Sequence, residues 1–554
     1  MKQVGIFCEN TQSFHAYELG TTLKEISLDL NIQLNHKVCG AIVNNQVKEL
    51  SFMLVKPKTI EFIGLSHPDC IRMYNRSLLF LLYMAVNDIY PDVMLKIQHG
   101  ISHGFYFELE GLGRPVTESD IFSIEETMWS YIQKDVPFVR KGILTEILVA
   151  MFEKQGLVQK ARLFEQQGNL YSYGYFFNGL TDYFYGCLLP SASYITNFGL
   201  VSYFDGILLR LPDQKNFAEL HKVAHQSKLF NIYQEHKDWA EILKVSSISN
   251  LNDFTLAGRS GDIIKISEAL HEKKVVEIAN QITQQKAQIR VVLVSGPSSS
   301  GKTTFSKRLG IQLSVNGIRP WQISLDNYFV DRAHTPKDEL GDPDFEALEA
   351  IDIEYFNKQL ISLFNGEEVV LPKFDFYTGK RFFDNDLLKL GKDDVLIIEG
   401  IHGMNPRLIP HIDPKSTFKI FLSALTQITY DEHNHVSTTD NRLIRRIIRD
   451  SRYRNYPARE TIKRWSSVRQ GEEKNIFPYQ ENADVMFNSA TLYELAVLKK
   501  YAEPLLNSVP ENQPEYLEAT RLCKFLSWFK PIDDAEIPPT SVLREFLGGS
   551  SFTY

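Results

Sequence analysis

Residues Gly296, Pro297, Ser298, Ser299, Ser300, Gly301, Lys302, Thr303 and Thr304 match the pattern GxxxxGK[ST]. The run follows an apolar strand pattern, IRVVLVS, and opens a helix pattern, KTTFSKRLGIQLSV. That strand–loop–helix setting is what the motif needs to work. Glycine at 296 and 301 permits backbone angles that a Cβ would forbid, so the loop amides can turn inward. The following helix N-terminus adds positive potential at the same point. All nine residues are therefore read as a phosphate cradle for ATP or GTP. Lys302 is placed to reach the β- and γ-phosphates, and the Thr303 hydroxyl to ligate Mg²⁺.

Three further features suit phosphoryl transfer. The strand-like run WQISL ends in Asp326-Asn327-Tyr328-Phe329. A carboxylate at the carboxyl end of a parallel strand beside a phosphate loop can take a proton from an attacking hydroxyl and help hold a metal. The bland alternative is a turn or helix-capping aspartate. A second run, DVLIIEG, supplies Glu399, the carboxylate expected opposite Thr303 at the metal. Third, the helix pattern NRLIRRIIRDSRYRNY carries Arg445, Arg446, Arg449, Arg452 and Arg454 within ten residues. Arg442, Arg445, Arg446 and Arg449 share one helical side. They are expected to form a cationic lid over the transferring phosphate, although a charged helix facing water is the ordinary alternative.

The elements that must hold these groups follow from the pattern around them. Five apolar runs (IRVVLVS, WQISL, DVLIIEG, TFKIFLSAL and ADVMFNS) alternate with helical segments, which predicts α/β structure with a parallel sheet covered on both faces. The whole chain has 554 residues, too many for one core, so several domains are expected. With 44% hydrophobic and 23% charged residues, it falls outside the collagen-like, disordered and membrane-embedded classes. A net charge of −8 gives no overall field for nucleic acid. Cys8, Cys39, Cys70, Cys187 and Cys523 are widely spaced and form no CxxC pair, as expected for reduced thiols in a cytoplasm. The N-terminus lacks a signal-peptide layout. The longest apolar run, Leu78–Val86, reaches only ~14 Å as a helix and is read as buried rather than membrane-spanning.

The motifs GPSSSGKTT, ISLDNYF, the acid–ALEAID stretch at Asp344–Asp352, LPKFDFYTGKR, LIIEGIH and RLIRRIIRDS occur in the order found in uridine kinases. Residues 288–500 thus resemble the phosphoribulokinase and uridine kinase group, a P-loop fold. The resemblance implies ATP- and Mg²⁺-dependent phosphorylation of a hydroxyl, the 5′-OH of a nucleoside above all. It implies Asp326 as base, Lys302, Arg449 and Arg454 as catalytic cations, and Thr303, Glu399 and Asp326 as metal-site residues. The acceptor would meet Asp326, Glu346, Phe374, Arg381 and Arg446. This chain departs from the family at the base-stacking tyrosine (Phe374 here), the base-reading histidine (Gly379) and the second lid arginine (Tyr456). Loss of polar readers weakens discrimination, so the base is left open. An insertion, Thr426–Asn441, precedes the lid helix and is expected to add acceptor contacts or to form a surface loop.

Residues 1–64, with YELGTTLKEIS, GAIVNNQVKEL and KTIEFIG, resemble the TGS domain of threonyl-tRNA synthetases. Residues 65–215, with YPDVMLKIQHGISHGFYFELEG and DYFYGCLLP, resemble the editing domain that follows it. Both are expected to be α+β. The two metal-binding pairs of the editing family fall on Arg76, Phe80, Phe184 and Leu188. Phe and Leu cannot ligate a metal, so hydrolytic editing is not expected. His99/His103 and His221/His225 have i, i+4 spacing but lack the HExxH glutamate. Residues 216–287 read as a helical connector and 501–554 as a helical tail. The N-terminal half is expected to bind RNA, to sense a ligand or to support homo-oligomerisation. The alternatives to a nucleoside kinase are a kinase for another metabolite, such as a sugar phosphate, and an RNA-binding regulator that uses ATP as a switch.

Overall fold

The computed structural model describes residues 3–338, 341–375 and 377–553. The five apolar runs all form strands of one parallel sheet: β1 (Val291–Ser295), β2 (Pro320–Ser324), β3 (Val395–Glu399), β4 (Thr417–Ser423) and β5 (Val485–Asn488). Their spatial order is β2-β3-β1-β4-β5. β1 is thus central, and its loop opens at the carboxyl edge between β3 and β4. Every residue of β1 is buried, as its unbroken apolar pattern requires.

Both faces of the sheet are covered. On one, α1 (Lys302–Val315) lays Phe305, Leu309 and Leu313 against Val292, Val294 and Ile397. The helix Ser260–Gln284 adds Val275, Ile278 and Ile282 to the same core. The segment expected as a connector therefore supplies a layer of this core. On the other face, the helix Ile353–Phe364 packs Phe356 and Leu360 over Leu293, Ile323 and Ile398. The arginine-rich run forms α2 (Thr438–Tyr453), started by the Ser437 side chain, which accepts from the Asp440 N–H. It is followed by α3 (Ala458–Asn475).

In the N-terminal half, residues 3–63 form a five-stranded sheet whose core includes Ile26 of the helix Leu23–Asp29. Two of its strands, Ser13–Glu18 and Val47–Glu49, are half-exposed edges that carry no apolar run. Leu78–Val86 lies wholly buried in the helix Pro68–Ile89, beside a four-stranded antiparallel sheet. Among the described residues no helix is long and apolar enough to cross a membrane.

The insertion before α2 overturns both expectations for it. Residues 430–434 are buried, and they are buried in the N-terminal half. The Glu432 carboxylate accepts the N–H groups of Gln159 and Lys160 at 2.7 and 3.3 Å, capping a helix, Val158–Gln167, that has no side-chain cap of its own. Asp431 accepts the Tyr185 hydroxyl at 2.7 Å. His433 Nδ1 lies 2.7 Å from Asp182, and its ring lies 4.2 Å from that of Tyr83. Lys160 closes the cluster against Asp182 and Asp431. Burial opposes the Lys160 charge, but the carboxylates outweigh it and hold the ammonium on. At the editing-family ligand positions themselves, Phe80 and Phe184 are fully buried with their rings 5.7 Å apart. Arg76 presses on Gly186 so closely that a Cβ there would sit 2.2 Å from its guanidinium.

Removing one member of a buried ionic set strands the others. Lys160→Met is expected to cost about 3–5 kcal/mol, read as a lower urea midpoint for the full chain. An unchanged midpoint would show that the cluster does not hold the strap.

Candidate active site

The loop after β1 is built by close approach. A Cβ at Gly296 would lie 2.1 Å from the Leu422 carbonyl oxygen, and Gly301 sits at φ +83°. Ser299 takes φ +59° without being glycine, a conformation that costs energy unless the surroundings impose it. The surroundings do so from α2. The buried guanidinium groups of Arg442 and Arg445 donate to the Ser298 and Ser299 carbonyls at 3.2 and 3.3 Å. Arg442 is ion-paired with Glu472 of α3, and Arg445 with Glu494 at 2.5 Å.

This divides the arginine set expected as a lid. Arg442 and Arg445 are 1% and 0% exposed and brace the loop from behind. Arg446, Arg449 and Arg454 instead line a cavity of about 650 Å³ in front of it. Asp450 sits among these three, within 3.3, 2.9 and 3.6 Å. Burial works against its charge, but the three guanidinium groups overcome this and hold the carboxyl below its usual range. Mutual repulsion with Arg449, then burial, lowers Arg454 to about 10.

The same cavity gathers Ser298, Ser299, Ser300, Gly301, Lys302, Thr303, Asp326, Glu346, Phe374 and Glu399. Asp326 enters it from the short 3-10 turn that ends β2. Lys302 Nζ curls onto the Gly296 and Pro297 carbonyls at 3.0 and 3.1 Å. Glu399, at the end of β3, accepts from the Ser324 hydroxyl at 2.7 Å and from Thr303 Oγ1 at 3.4 Å. Burial, with Asp326 beside it, pushes the Glu399 carboxyl up to about 7. This set of hard oxygen donors fits Mg²⁺. Among the described residues the buried Ser299 and Ser300 hydroxyls have no partner, as a cradle for an exogenous anion would have it.

Gly296, Pro297 and Thr304 shape the loop without lining the cavity. Arg381 is not brought into it either. Its guanidinium is spent on Asp352 at 3.0 Å and on the Phe329 carbonyl at 3.2 Å. Arg332, Arg464, Phe329, Phe345 and Glu545 do line it. Phe329 belongs to the ISLDNYF run that supplied Asp326, and Arg464 lies on α3; the sequence gives no local signal for Arg332, Phe345 and Glu545. The histidine pairs do not converge: His99 stacks on Tyr233 at 3.7 Å, His103 on His221 at 4.6 Å and His225 on Phe204 at 4.9 Å.

Residues 291–496 match the family model described as Phosphoribulokinase / Uridine kinase family. A threonine–tRNA ligase of Thermotoga maritima is 30% identical over 192 residues, covering 34% of this chain and 29% of that protein. One of Desulforamulus reducens is 27% identical over 151 residues, covering 27% and 24%. The chain thus spans less than a third of these curated relatives, and the matches lie in its N-terminal region. Among solved structures, a "possible uridine kinase" from Bacillus stearothermophilus is 20% identical over 39% of this chain and 98% of its own, with a TM-score of 0.26. A D-glycerate 3-kinase from Cryptococcus neoformans var. grubii is 16% identical over 46% and 87%, with a TM-score of 0.23.

Glu346 yields a test of the cavity's electrostatics. Burial and Glu472 raise its carboxyl to about 7, against the pull of Arg446 and Lys302. The folded state therefore holds a proton there that the unfolded chain releases near pH 4.5, so this contribution to stability is lost as pH rises toward 7. Glu346→Gln is expected to melt close to the parent at pH 5 and above it at pH 8, by on the order of 2 kcal/mol after solvent screening. Parallel melting curves across that range would show that Glu346 is not desolvated.

Proposed function

Taking residues 291–496 as a phosphoribulokinase/uridine kinase domain, we propose that the protein is an ATP-dependent kinase. It transfers the γ-phosphate to a hydroxyl of a small molecule, the 5′-OH of a nucleoside. The observation that carries this reading is the convergence of the phosphate loop, Asp326, Glu399, Arg446, Arg449 and Arg454 on one cavity. The loop amides and Lys302 hold the phosphates. Asp326 accepts the proton of the attacking hydroxyl. Arg449 and Arg454 stabilise charge on the transferring group, where fixed cations act most strongly once water is excluded. Thr303 and Glu399, with Asp326 near, would hold the Mg²⁺, which neutralises phosphate charge when bound.

The cavity wall favours a nucleoside over a sugar phosphate. Phe374 packs edge-on against Phe329 at 5.7 Å, and Phe345 lines the same wall. Such rings offer stacking to a nucleobase, and a sugar phosphate has no π-face to use it. Glu346, whose carboxyl burial raises to about 7, can pair with hydroxyls as donor or acceptor.

Incubating the full chain with ATP, Mg²⁺ and separate nucleoside and sugar-phosphate panels, with products identified by mass spectrometry, tests this. A nucleoside 5′-monophosphate is expected, and Asp326→Asn should lower kcat by about 10²–10⁴-fold. Turnover of sugar phosphates alone, or an unaffected Asp326→Asn, would sink the reading.

A second reading concerns the N-terminal half, whose relatives are threonine–tRNA ligases. On the strand Tyr171–Phe177, Tyr171 and Tyr173 are 65% and 53% exposed, and the Arg140 guanidinium lies 4.2 Å over the Tyr173 ring. Exposed rings beside a cation suit stacking by an unpaired base. If RNA binds there, Tyr173→Ala should weaken single-stranded RNA binding by about 1–3 kcal/mol at low salt, measured by filter binding. Equal retention of both forms would remove RNA from that surface.

A further inference from the structure

The last turn of the chain reaches the phosphate cradle. Thr304 occupies the first turn of α1, where backbone N–H groups have no partner within the helix and attract anions. Here that N–H has one. Glu545 Oε2 accepts it at 3.3 Å and also accepts the Thr304 hydroxyl at 2.8 Å. Glu545 lines the same cavity as Lys302, Asp326 and Arg449. Its neighbour Val542 sits on the loop itself, where a Cβ at Gly301 would lie 2.3 Å from Val542 Cγ1.

The backbone that delivers Glu545 is firmly seated. Val542, Leu543, Phe546 and Leu547 are all buried. Phe546 lies under the Arg445 guanidinium at 5.0 Å. Ser541 donates to Glu268 at 2.6 Å. Arg544 is tied to the Asp534 carboxylate at 2.7 Å and to the Ile537 carbonyl at 2.8 Å. The Glu545 side chain is held differently. Among the described residues it forms no ion pair within 4.0 Å, whereas Glu472, which accepts the Ser298 N–H at 3.0 Å, is clamped by both Arg442 and Arg469. Glu472 is part of the brace, and Glu545 is a carboxylate resting on a site made for another anion.

We propose that Glu545 is an intramolecular competitor for the phosphate cradle: its carboxylate stands in for a phosphate group on the Thr304 N–H and hydroxyl, and a nucleotide must displace it to bind. This rests on the reading of the loop as an ATP cradle. Carboxylate and phosphate cannot share one N–H donor, and their charges repel. Because the tail backbone is anchored, displacement needs only rotation of the Glu545 side chain, and Arg449 lies within its electrostatic reach as a second partner. The tail therefore stays docked while the cradle opens. The residue raises the threshold for occupancy by a ligand that needs the Thr304 donors, and leaves a ligand without phosphates almost untouched.

The test is direct titration of the full chain with Mg·ATP and with adenosine, by calorimetry, for the parent, Glu545→Gln and Glu545→Ala. Glu545→Gln keeps the shape and removes the charge, so it answers the question even if Glu545→Ala folds poorly. Removing one charge-assisted competitor is expected to tighten ATP binding about five- to twentyfold and to move adenosine binding less than twofold. ATP affinities equal within twofold, or weaker in the variants, would overturn the role of Glu545 and leave the nucleotide reading intact. Absence of ATP binding in all three proteins would overturn both.

Discussion

A loop that turns its N–H groups toward a ligand must turn carbonyls the other way, and those carbonyls need partners. In this protein the partners are two guanidinium groups. Arg442 and Arg445 reach from α2 to the Ser298 and Ser299 carbonyls, and each is neutralised by a carboxylate, Glu472 or Glu494. Burying two such pairs is expensive in desolvation. What they provide is geometry, because they hold Ser299 in a left-handed conformation that it would not adopt alone. The cradle, the cavity before it and the cations that face the cavity all depend on this brace. The helix that pins the loop with its first half presents Arg446, Arg449 and Arg454 from its second.

That helix is also the hinge between the two halves of the chain. Its cap, Ser437, follows directly on the strap whose residues 430–434 are buried in the N-terminal half. The strap supplies Asp431, His433 and the helix-capping Glu432 to the half in which Phe80, Phe184 and Leu188 are buried. There it satisfies Lys160 and Asp182. The N-terminal half thereby anchors the helix that faces the cavity.

Much of this was legible in the residues. The five parallel strands follow from unbroken apolar runs, which only burial on both faces explains. Asp326 and Glu399 were legible because strand ends in such a sheet point at one edge, and the structure brings both to the cavity beside Thr303. Helical periodicity put Arg442, Arg445, Arg446 and Arg449 on one side but could not divide them. A face has width, and what separates a brace from a lid is which tertiary neighbour each guanidinium meets. Arg381 illustrates the same limit: its partners, Asp352 and the Phe329 carbonyl, lie outside its own hairpin. The strap was the least legible element, because YDEHNH reads as a polar loop until Lys160, Gln159 and Tyr185 are known to surround it.

These placements bear on how charge is organised in an acidic chain. The net charge of −8 would repel a polyanionic nucleotide unless cations were concentrated where it binds. Part of the arginine supply is spent on bracing, since Arg442 and Arg445 are fully neutralised. Asp450 then sits among the remaining three at 2.9–3.6 Å. Its carboxylate offsets the repulsion among three like charges and keeps them close together. The cavity thus keeps carboxylates near its cations by construction, with Asp450 among the arginines and Glu399 and Asp326 in the same lining. Arranged this way, the positive field is short-ranged and directed inward, which suits recognition of one small anion far better than attraction of a polymer.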